Sequence, residues 1–179
     1  MVDSDDYITP TAIKQITNAW TTLENKELYA GLCFRKENYN TKKIIGPPFP
    51  QHELKSNSLE MAYKYGIPGD KAEVFVTDVL KRYPFPSIAE EKFVPEAYIW
   101  NRIAQSYSLY YIDEPIYLCE YLEDGYSKNF KKNLKDNPEG FLLYYKDLLR
   151  YKEVPFISKL KAFIRIIQLK HYKRCKKRS

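Results

Sequence analysis

The first 34 residues carry the pattern that most constrains the fold. Val2 runs directly into three carboxylates, those of Asp3, Asp5 and Asp6, and a short apolar run follows at 28–34. Such a run is typical of a buried strand. This order predicts a strand, helix, strand unit whose acids lie at a strand end, which is where ligands bind in open α/β sheets.

The segment after the acids has the features of a helix start. Thr9 is placed as an N-cap and Pro10 as the first helical residue, where a missing N–H is tolerated. Apolar residues then recur at helical spacing, at Ile13, Ile16, Trp20 and Leu23. We expect this helix to extend over 9–28.

Three acids this close together have several explanations. An EF-hand calcium loop beginning at Asp3 would need Gly at its sixth position and Glu at its twelfth, where the chain has Ile8 and Lys14. That motif is excluded. A solvated turn or a helix cap stays open, above all for Asp6. The alternative is a site for Mg²⁺ or Mn²⁺, which prefer carboxylate oxygens and hold the phosphates of nucleotides.

The residue pattern in the middle of the chain predicts further alternation of strands and helices. A polar, proline-rich loop at 35–57 leads into a helix near 53–65, and a strand at 72–76 is followed by a short helix to Tyr83. Pro95 opens another helix, which carries Trp100, Ile103 and Tyr107 on one face.

Two β-prone runs follow, at 109–112 and 116–122, separated by Asp113-Glu114-Pro115. We expect the first to lie in a parallel sheet and the second to form an edge strand or a hairpin. From residue 127 onward the pattern is helical, with breaks at 137–138 and 154–155.

Composition narrows the class of protein. A chain of 179 residues with 44% hydrophobic residues can bury the core of one domain. Cys33, Cys119 and Cys175 are far apart, and with only two histidines they argue against a disulfide scaffold or a zinc site. We expect a reducing, cytoplasmic setting.

The net charge of +6 belongs to the C-terminal tail. From Pro155 onward there are nine Lys or Arg and no acid, whereas the rest of the chain holds 20 basic and 23 acidic residues. Apolar tail residues recur near helical spacing at Phe156, Ile157, Leu160, Phe163, Ile164, Ile167 and His171. This pattern indicates either a helix on an anionic membrane surface or a helix packed on its own domain with a solvated basic face.

Three segments resemble parts of the family 2 glycosyltransferases, enzymes with the GT-A fold that use nucleotide-sugar donors. The range 2–8 is similar to the Asp-x-Asp segment of that family, and 69–86 to the strand and short helix after its donor-sugar region. The range 93–104 resembles the acidic segment that supplies the base. Order and spacing agree from Val2 to about Arg150.

The resemblance implies an α/β fold, namely the C-terminal portion of a GT-A mixed sheet with flanking helices. Residues 1–126 would form a partial catalytic domain and 127–179 a helical extension with a basic amphipathic tail. A GT-A fold begins with a βαβαβ half that builds the nucleotide-base pocket, and here only two residues precede Asp3. We therefore expect a fragment of a longer enzyme, or a degenerate product, that is weak or inactive when isolated.

The same resemblance implies roles for individual residues on the donor side. Asp5 would be a ligand of Mn²⁺ or Mg²⁺, and Asp3 would contact the donor nucleotide or orient the ion. Gly69 and Asp70 would lie near the donor sugar, where a glycine lets backbone approach a ligand. An ordinary turn is the simpler interpretation of these two residues. The segment 120–127 would close over the diphosphate, with Lys128 as the nearest cation.

Glu96 matches the position of the catalytic base in that family. The family more often has an acidic pair at this point, where the chain has Pro95 before Glu96. A Glu after a proline at a helix start is also well placed to complement the helix dipole. Glu91 and Glu90 are the substitutes if the register differs, and a solvated acidic turn is their simpler interpretation.

The implied activity is metal-dependent, inverting transfer of a sugar from a nucleotide-diphosphate donor. The acceptor would be a saccharide or a lipid-linked molecule in polysaccharide or glycan assembly. We expect a cytoplasmic protein that can lie peripherally on the inner face of the membrane through its tail. Two rivals stay open: a non-catalytic relic, and a binding module for an anionic polymer or a partner protein. No nucleic-acid motif appears, and no nucleic-acid partner is expected.

Overall fold

Residues 2–120 and 129–176 are described by a computed structural model, and they fall into two units that alternate along the chain. The first unit comprises Met1–Tyr83 and Ile103–Tyr121, and the second comprises Pro84–Arg102 and Leu122–Ser179. Each unit has a hydrophobic core of its own. The described part of the chain is therefore of mixed α/β class, with the sheet in the first unit and mostly helices in the second.

The first unit is built around a mixed sheet of five strands. Its elements, in chain order, are β1 (Tyr7–Ile8), α1 (Ala12–Thr22), a 3₁₀ helix (Lys26–Leu28), β2 (Tyr29–Asn38), β3 (Glu53–Ser56), α2 (Ser58–Tyr63), β4 (Ala72–Phe75), α3 (Thr77–Arg82) and β5 (Ser108–Cys119). Strands β1, β5, β2 and β4 lie side by side in that order, and β3 also pairs with β5.

Strand β5 is the centre of the sheet, because three other strands pair with it. It runs parallel to β2 along one edge. On the other edge its first half pairs with β3 and its second half with β1, both antiparallel. The predicted strands at 28–34 and 72–76 are confirmed as β2 and β4, and the predicted parallel pairing of 109–112 is confirmed as well.

The main core of the first unit lies between α1 and the sheet. Buried side chains of both strands β2 and β5 meet Ala12 there, and Ile16 and Trp20 of α1 pack against them. The buried members are Ala12, Leu32, Phe34, Ala72, Ile112, Ile116, Tyr117 and Cys119. Of the apolar residues that define the helical spacing, Ile16, Trp20 and Leu23 pack on this core, whereas Ile13 is exposed.

Two predicted helix starts in the first unit are wrong. The helix predicted to begin at Thr9 begins at Ala12, because the Thr9 N–H donates to the Ile116 carbonyl at 2.9 Å and so extends the pairing of β1 with β5. The predicted helix near 53–65 is confined to α2, because Glu53–Ser56 pairs with β5 as strand β3.

The predicted break at Asp113-Glu114-Pro115 is also wrong, because β5 is continuous from Ser108 to Cys119. The Asp113 carboxylate accepts from the buried Arg35 guanidinium at 2.6 Å, and the Asp113 N–H donates to the His52 carbonyl oxygen at 2.9 Å. The pairing with β2 has an irregularity on each side of Arg35, which faces Pro115. Pro115 thus lies at an irregularity of the strand pairing, where a missing backbone N–H is tolerated.

A close backbone approach joins β2 to β4 at Gly31. This residue has φ of 151°, and a Cβ built on it would lie 2.0 Å from the Val74 carbonyl oxygen. Real Cβ atoms do not approach an oxygen so closely, so the pairing of Gly31 with Phe75 requires glycine.

Tyr110 provides a pH-dependent link between β5 and β3. Its hydroxyl donates to the Glu53 carboxylate at 2.6 Å, and this hydrogen bond raises the pKa of Tyr110 to about 12. The folded value lies above the unfolded value of about 10, so the stabilisation is complete below the unfolded pKa and is lost as the pH rises through the folded pKa. We expect Tyr110→Phe to lower the free energy of unfolding by no more than about 1 kcal/mol at neutral pH.

Urea unfolding of both proteins from neutral pH to the alkaline range measures this effect. The difference between wild type and Tyr110→Phe should shrink as the pH passes from the unfolded to the folded pKa of Tyr110. Glu53→Gln is the control, since it keeps an acceptor oxygen but removes the charge that favours the protonated phenol. A difference that stays constant across this range would contradict the prediction.

The second unit is helical. It contains most of α4 (Glu96–Ile103), followed by α5 (Phe130–Asp136), α6 (Pro138–Leu148) and α7 (Phe156–Lys176). Its core is formed by Leu134, Phe141, Leu142, Ile166 and Leu169, with Phe93 packed against them. The predicted helix breaks at 137–138 and 154–155 are confirmed. None of the helices within the described ranges is long and apolar enough to cross a bilayer.

Candidate functional site

The three N-terminal acids lie in one tight turn that leads into β1. The Asp6 N–H donates to the Asp3 carbonyl oxygen at 3.1 Å, which closes the turn. Asp3 and Asp5 are exposed, whereas Asp6 is half-buried. Val2 is not part of a strand, so the acids precede β1 instead of following a strand as predicted.

The position of the turn nevertheless matches the expected edge of the sheet. Tyr7 of β1 lies opposite Leu118 in an antiparallel pair, so the residues before Tyr7 run beside the C-terminal end of β5. The parallel neighbour β2 ends at the same level, with Asn38 opposite Cys119. The acids therefore lie at the carboxyl ends of two parallel strands, which is where open α/β sheets bind ligands.

Tyr117 of β5 holds this acidic turn in place. Its hydroxyl accepts the Asp3 N–H at 3.2 Å and is hydrogen-bonded to the Asp6 side chain. Burial, more than these polar contacts, raises the pKa of Tyr117 above its usual value. The Lys36 ammonium lies 4.7 Å from the centre of the Tyr117 ring, a cation–π contact from the neighbouring strand.

Charged side chains affect the pKa of the Cys119 thiol at the end of β5. Burial raises the pKa of the Cys119 thiol, Lys36 opposes that effect, and the carboxylates of Asp6, Asp70 and Asp3 add to it. Three carboxylates and one ammonium therefore act on a single thiol at the end of β5.

The loop with Gly69 and Asp70 is held by the next residue, Lys71. Its ammonium donates to the carbonyls of Ile67 at 3.0 Å and Gly69 at 2.9 Å, and burial lowers the pKa of Lys71. Gly69 has φ of 95°, and no atom lies within 4 Å of the place where a Cβ would be. Backbone conformation, and not crowding by neighbours, favours glycine here. Asp70 is exposed.

The predicted base, Glu96, belongs to the second unit, whereas Asp3, Asp5, Gly69 and Asp70 belong to the first. Glu96 is the first residue of α4, and its side chain is exposed. A carboxylate at this position complements the helix dipole. The described residues therefore group the donor-side candidates in one unit and the candidate base in the other.

The segment before Glu96 is fixed by the start of α6. Both carboxylate oxygens of Glu91 accept backbone N–H groups there, one from Glu139 and one from Gly140, each at 2.9 Å. The side chain satisfies two of the N–H groups that a helix start leaves unpaired. Glu91 is thus a half-buried helix cap instead of a solvated turn, and the preceding Glu90 has a left-handed backbone with φ of 63°.

Two further residues complete this attachment. The buried Asn137 side chain accepts the N–H groups of Lys92 at 2.9 Å and Phe93 at 3.1 Å, while its amide donates to Asn133. A Cβ built on Gly140 would lie 2.4 Å from the Phe93 carbonyl oxygen, so only glycine permits this approach. The backbone that leads into α4 is therefore held by side-chain and backbone contacts with α5 and α6.

The side chains of the described residues offer a divalent cation only part of a coordination shell. Within residues 2–120 and 129–176, no group of three or more His, Cys, Asp and Glu side chains could hold a metal ion. Mg²⁺, however, is usually bound by one or two carboxylates together with substrate phosphates. Asp3 and Asp5, whose carboxylates are exposed, could supply these one or two ligands.

Several residues at this end of the sheet have no signal in the sequence. Tyr117, Lys36 and Lys71 become important only through contacts with residues far away or with their own loop. The predicted closing segment at 120–127, with Lys128, lies outside the described residues apart from Glu120. The Glu120 carboxylate accepts from the Tyr39 hydroxyl at 2.8 Å.

Comparisons of the chain with protein-family models, with curated proteins and with solved structures give no match. The class of protein therefore follows from the described residues alone. They define an α/β fold with a mixed sheet and an acidic turn at the carboxyl ends of its parallel strands.

Proposed function

We propose that the chain is the C-terminal portion of a family 2 glycosyltransferase of the GT-A fold. It would transfer a sugar from a nucleotide-diphosphate donor to a saccharide or lipid-linked acceptor, with inversion at the anomeric carbon. One observation supports the proposal above the others: the Asp3–Asp6 turn lies at the carboxyl ends of the parallel strands β2 and β5.

Each residue has a separate task in this proposal. Asp5 and Asp3 would hold a divalent cation, which when bound neutralises charge on the leaving diphosphate. Tyr117 keeps the turn that carries both acids in one conformation through its bond to the Asp3 N–H. Asp70 would accept hydrogen bonds from hydroxyl groups of the donor sugar.

Glu96 would remove the proton from the attacking acceptor hydroxyl. Its assignment rests on the sequence resemblance alone. The Glu91 and Asn137 contacts give the backbone before α4 a fixed path, which a base needs because proton transfer depends on its position. Glu91 itself already accepts two backbone N–H groups, so we assign it to this supporting role.

Binding of Mn²⁺ in the presence of UDP tests the donor-side half of the proposal. Electron paramagnetic resonance measures how much Mn²⁺ stays free in solution. We expect Asp5→Asn to bind Mn²⁺ at least about tenfold more weakly than wild type, because a metal ligand has been neutralised. Glu96→Gln should bind Mn²⁺ and UDP as wild type does and lose only sugar transfer, measured in the protein encoded by the full reading frame.

Asp78→Asn is the matched control, because Asp78 is an exposed Asp of the same unit that pairs only at the surface with Lys81. It should bind Mn²⁺ as wild type does. Equal binding in wild type and Asp5→Asn would overturn the assignment of Asp5. Transfer that survives both Asp5→Asn and Glu96→Gln would exclude these two residues from catalysis. A biological function that is unchanged in both variants, without any sugar transfer, would favour a non-catalytic relic.

A further inference from the structure

Helix α7 exposes a continuous apolar stripe. Its six large members are each between 51% and 80% exposed, and they recur at i, i+1, i+4, i+7, i+8 and i+11. The members are Phe156, Ile157, Leu160, Phe163, Ile164 and Ile167. Single exposed apolar residues are common on protein surfaces, whereas a stripe along about three turns of one helix indicates an interaction surface.

The stripe is not the face by which α7 packs in its own unit. Ile166 and Leu169 are buried and belong to the core formed with α5 and α6. On the same side, Lys173 forms an ion pair with Glu139 of α6. Helix α7 is therefore apolar on two sides. One side is buried in the core of the second unit, and the other side, the stripe, is exposed.

The borders of the stripe are basic. At 100° per residue, Lys159 and Lys170 lie along one border and Lys161 along the other. Farther along the helix the stripe ends in Arg174, which is exposed. No Asp or Glu occurs from Phe156 to Lys176. Every charged side chain of α7 is therefore basic.

We propose that this stripe docks on the surface of an anionic lipid bilayer, with α7 lying in the plane of the interface. Apolar side chains on one face of such a helix enter the boundary between headgroups and acyl chains. Flanking lysines keep their ammonium groups among anionic headgroups while their stems lie along apolar surface.

Charge favours a lipid surface over a second copy of this chain. Two α7 stripes packed against each other would bring lysine borders of the same sign together, which costs free energy in the absence of acids between them. An anionic bilayer presents opposite charge along the whole length of the helix. The inference concerns the second unit alone and is independent of transferase activity.

Flotation of the full chain with lipid vesicles tests the proposal. We expect binding to vesicles that contain phosphatidylglycerol, about tenfold weaker binding to phosphatidylcholine alone, and release by salt. The double substitution Ile164→Ser and Ile167→Ser should weaken binding at least about tenfold, because apolar area on the helix sets the affinity. Both residues are exposed, so circular dichroism and thermal unfolding should match wild type.

Ile13→Ser is the matched control, since Ile13 is 64% exposed on α1 and lies outside the stripe. It should bind vesicles as wild type does, and so should Asp5→Asn, which separates this test from that of the transferase. The proposal fails if no vesicle binding occurs, or if Ile13→Ser weakens binding as much as the stripe variant does. Self-association that the stripe variant abolishes, without vesicle binding, would assign the stripe to a second copy.

Discussion

Asp113→Ala is expected to lower the free energy of unfolding of the sheet unit by about 3 kcal/mol, because removal of one partner leaves the other charge buried and unpaired. The Arg35 side chain is 5% exposed and that of Asp113 is 23% exposed. One carboxylate oxygen accepts both the Arg35 guanidinium and the Phe49 N–H. The substitution therefore also releases the loop that Arg35 holds through the Ile45 and Gly46 carbonyls.

Urea unfolding, followed by far-ultraviolet circular dichroism, measures this loss. Asp78→Ala provides the comparison, because its carboxylate is 87% exposed and lies 3.7 Å from the Lys81 ammonium. Surface pairs of that kind contribute about 0–1 kcal/mol. Similar losses in Asp113→Ala and Asp78→Ala would show that the buried pair does not stabilise the sheet.

Gly31→Ala is the second substitution with a large expected effect, at least about 3 kcal/mol of unfolding free energy. An added Cβ would lie 2.0 Å from the Val74 carbonyl oxygen and 2.9 Å from the Phe75 Cα. Both are backbone atoms of the neighbouring strand, so no rotamer change can relieve the clash. The pairing of β2 with β4 must therefore open.

Gly66→Ala separates the clash from backbone strain. Gly66 also has a positive φ, 68°, but beyond its two neighbours in the chain no described residue has an atom within 4 Å of the place where its Cβ would be. It should lose only about 1 kcal/mol, the strain of a side chain in the left-handed region. The Val76 N–H donates to the Ala30 carbonyl at 2.8 Å, next to the clash, and its hydrogen exchange should accelerate in Gly31→Ala alone. Unchanged protection of this amide would contradict the structural account.

Sequence patterns predicted the helices and strands that are determined by their own residues. The run at 28–34 is apolar enough to identify β2, and the strand and short helix at β4 and α3 follow from the alternation of apolar and turn residues. The break before α6 follows from Asn137-Pro138. In each case the residues that determine the element are its own.

Other elements depend on partners that a local pattern does not contain. Asp113-Glu114-Pro115 has the composition of a turn, but Arg35, 78 positions earlier, holds it inside a strand. Thr9 has the side chain of an N-cap, yet its N–H is used by Ile116. Tertiary hydrogen bonds outweigh turn and capping preferences at both places.

Of the residues in the candidate site, only the exposed carboxylates could be predicted from the sequence. Asp3 and Asp5 belong to a recognisable motif, whereas Tyr117, which fixes their turn, is one tyrosine among seventeen. The helical spacing in the tail predicted an amphipathic helix. The apolar residues of that pattern, among them Ile164 and Ile167, are the exposed ones. The pattern did not indicate that Ile166 and Leu169 form a second, buried apolar side.

The central position of β5 has a consequence for how the chain folds as it is synthesised. Among the described residues, β1 and β3 each pair with no strand but Ser108–Cys119, and β2 pairs in parallel with that same segment. Contacts over such sequence separations form slowly, because a long loop must close before they are gained. A nascent chain that has not yet reached Ser108 holds two strands without a neighbour, so chaperone capture should fall sharply once Cys119 leaves the ribosome.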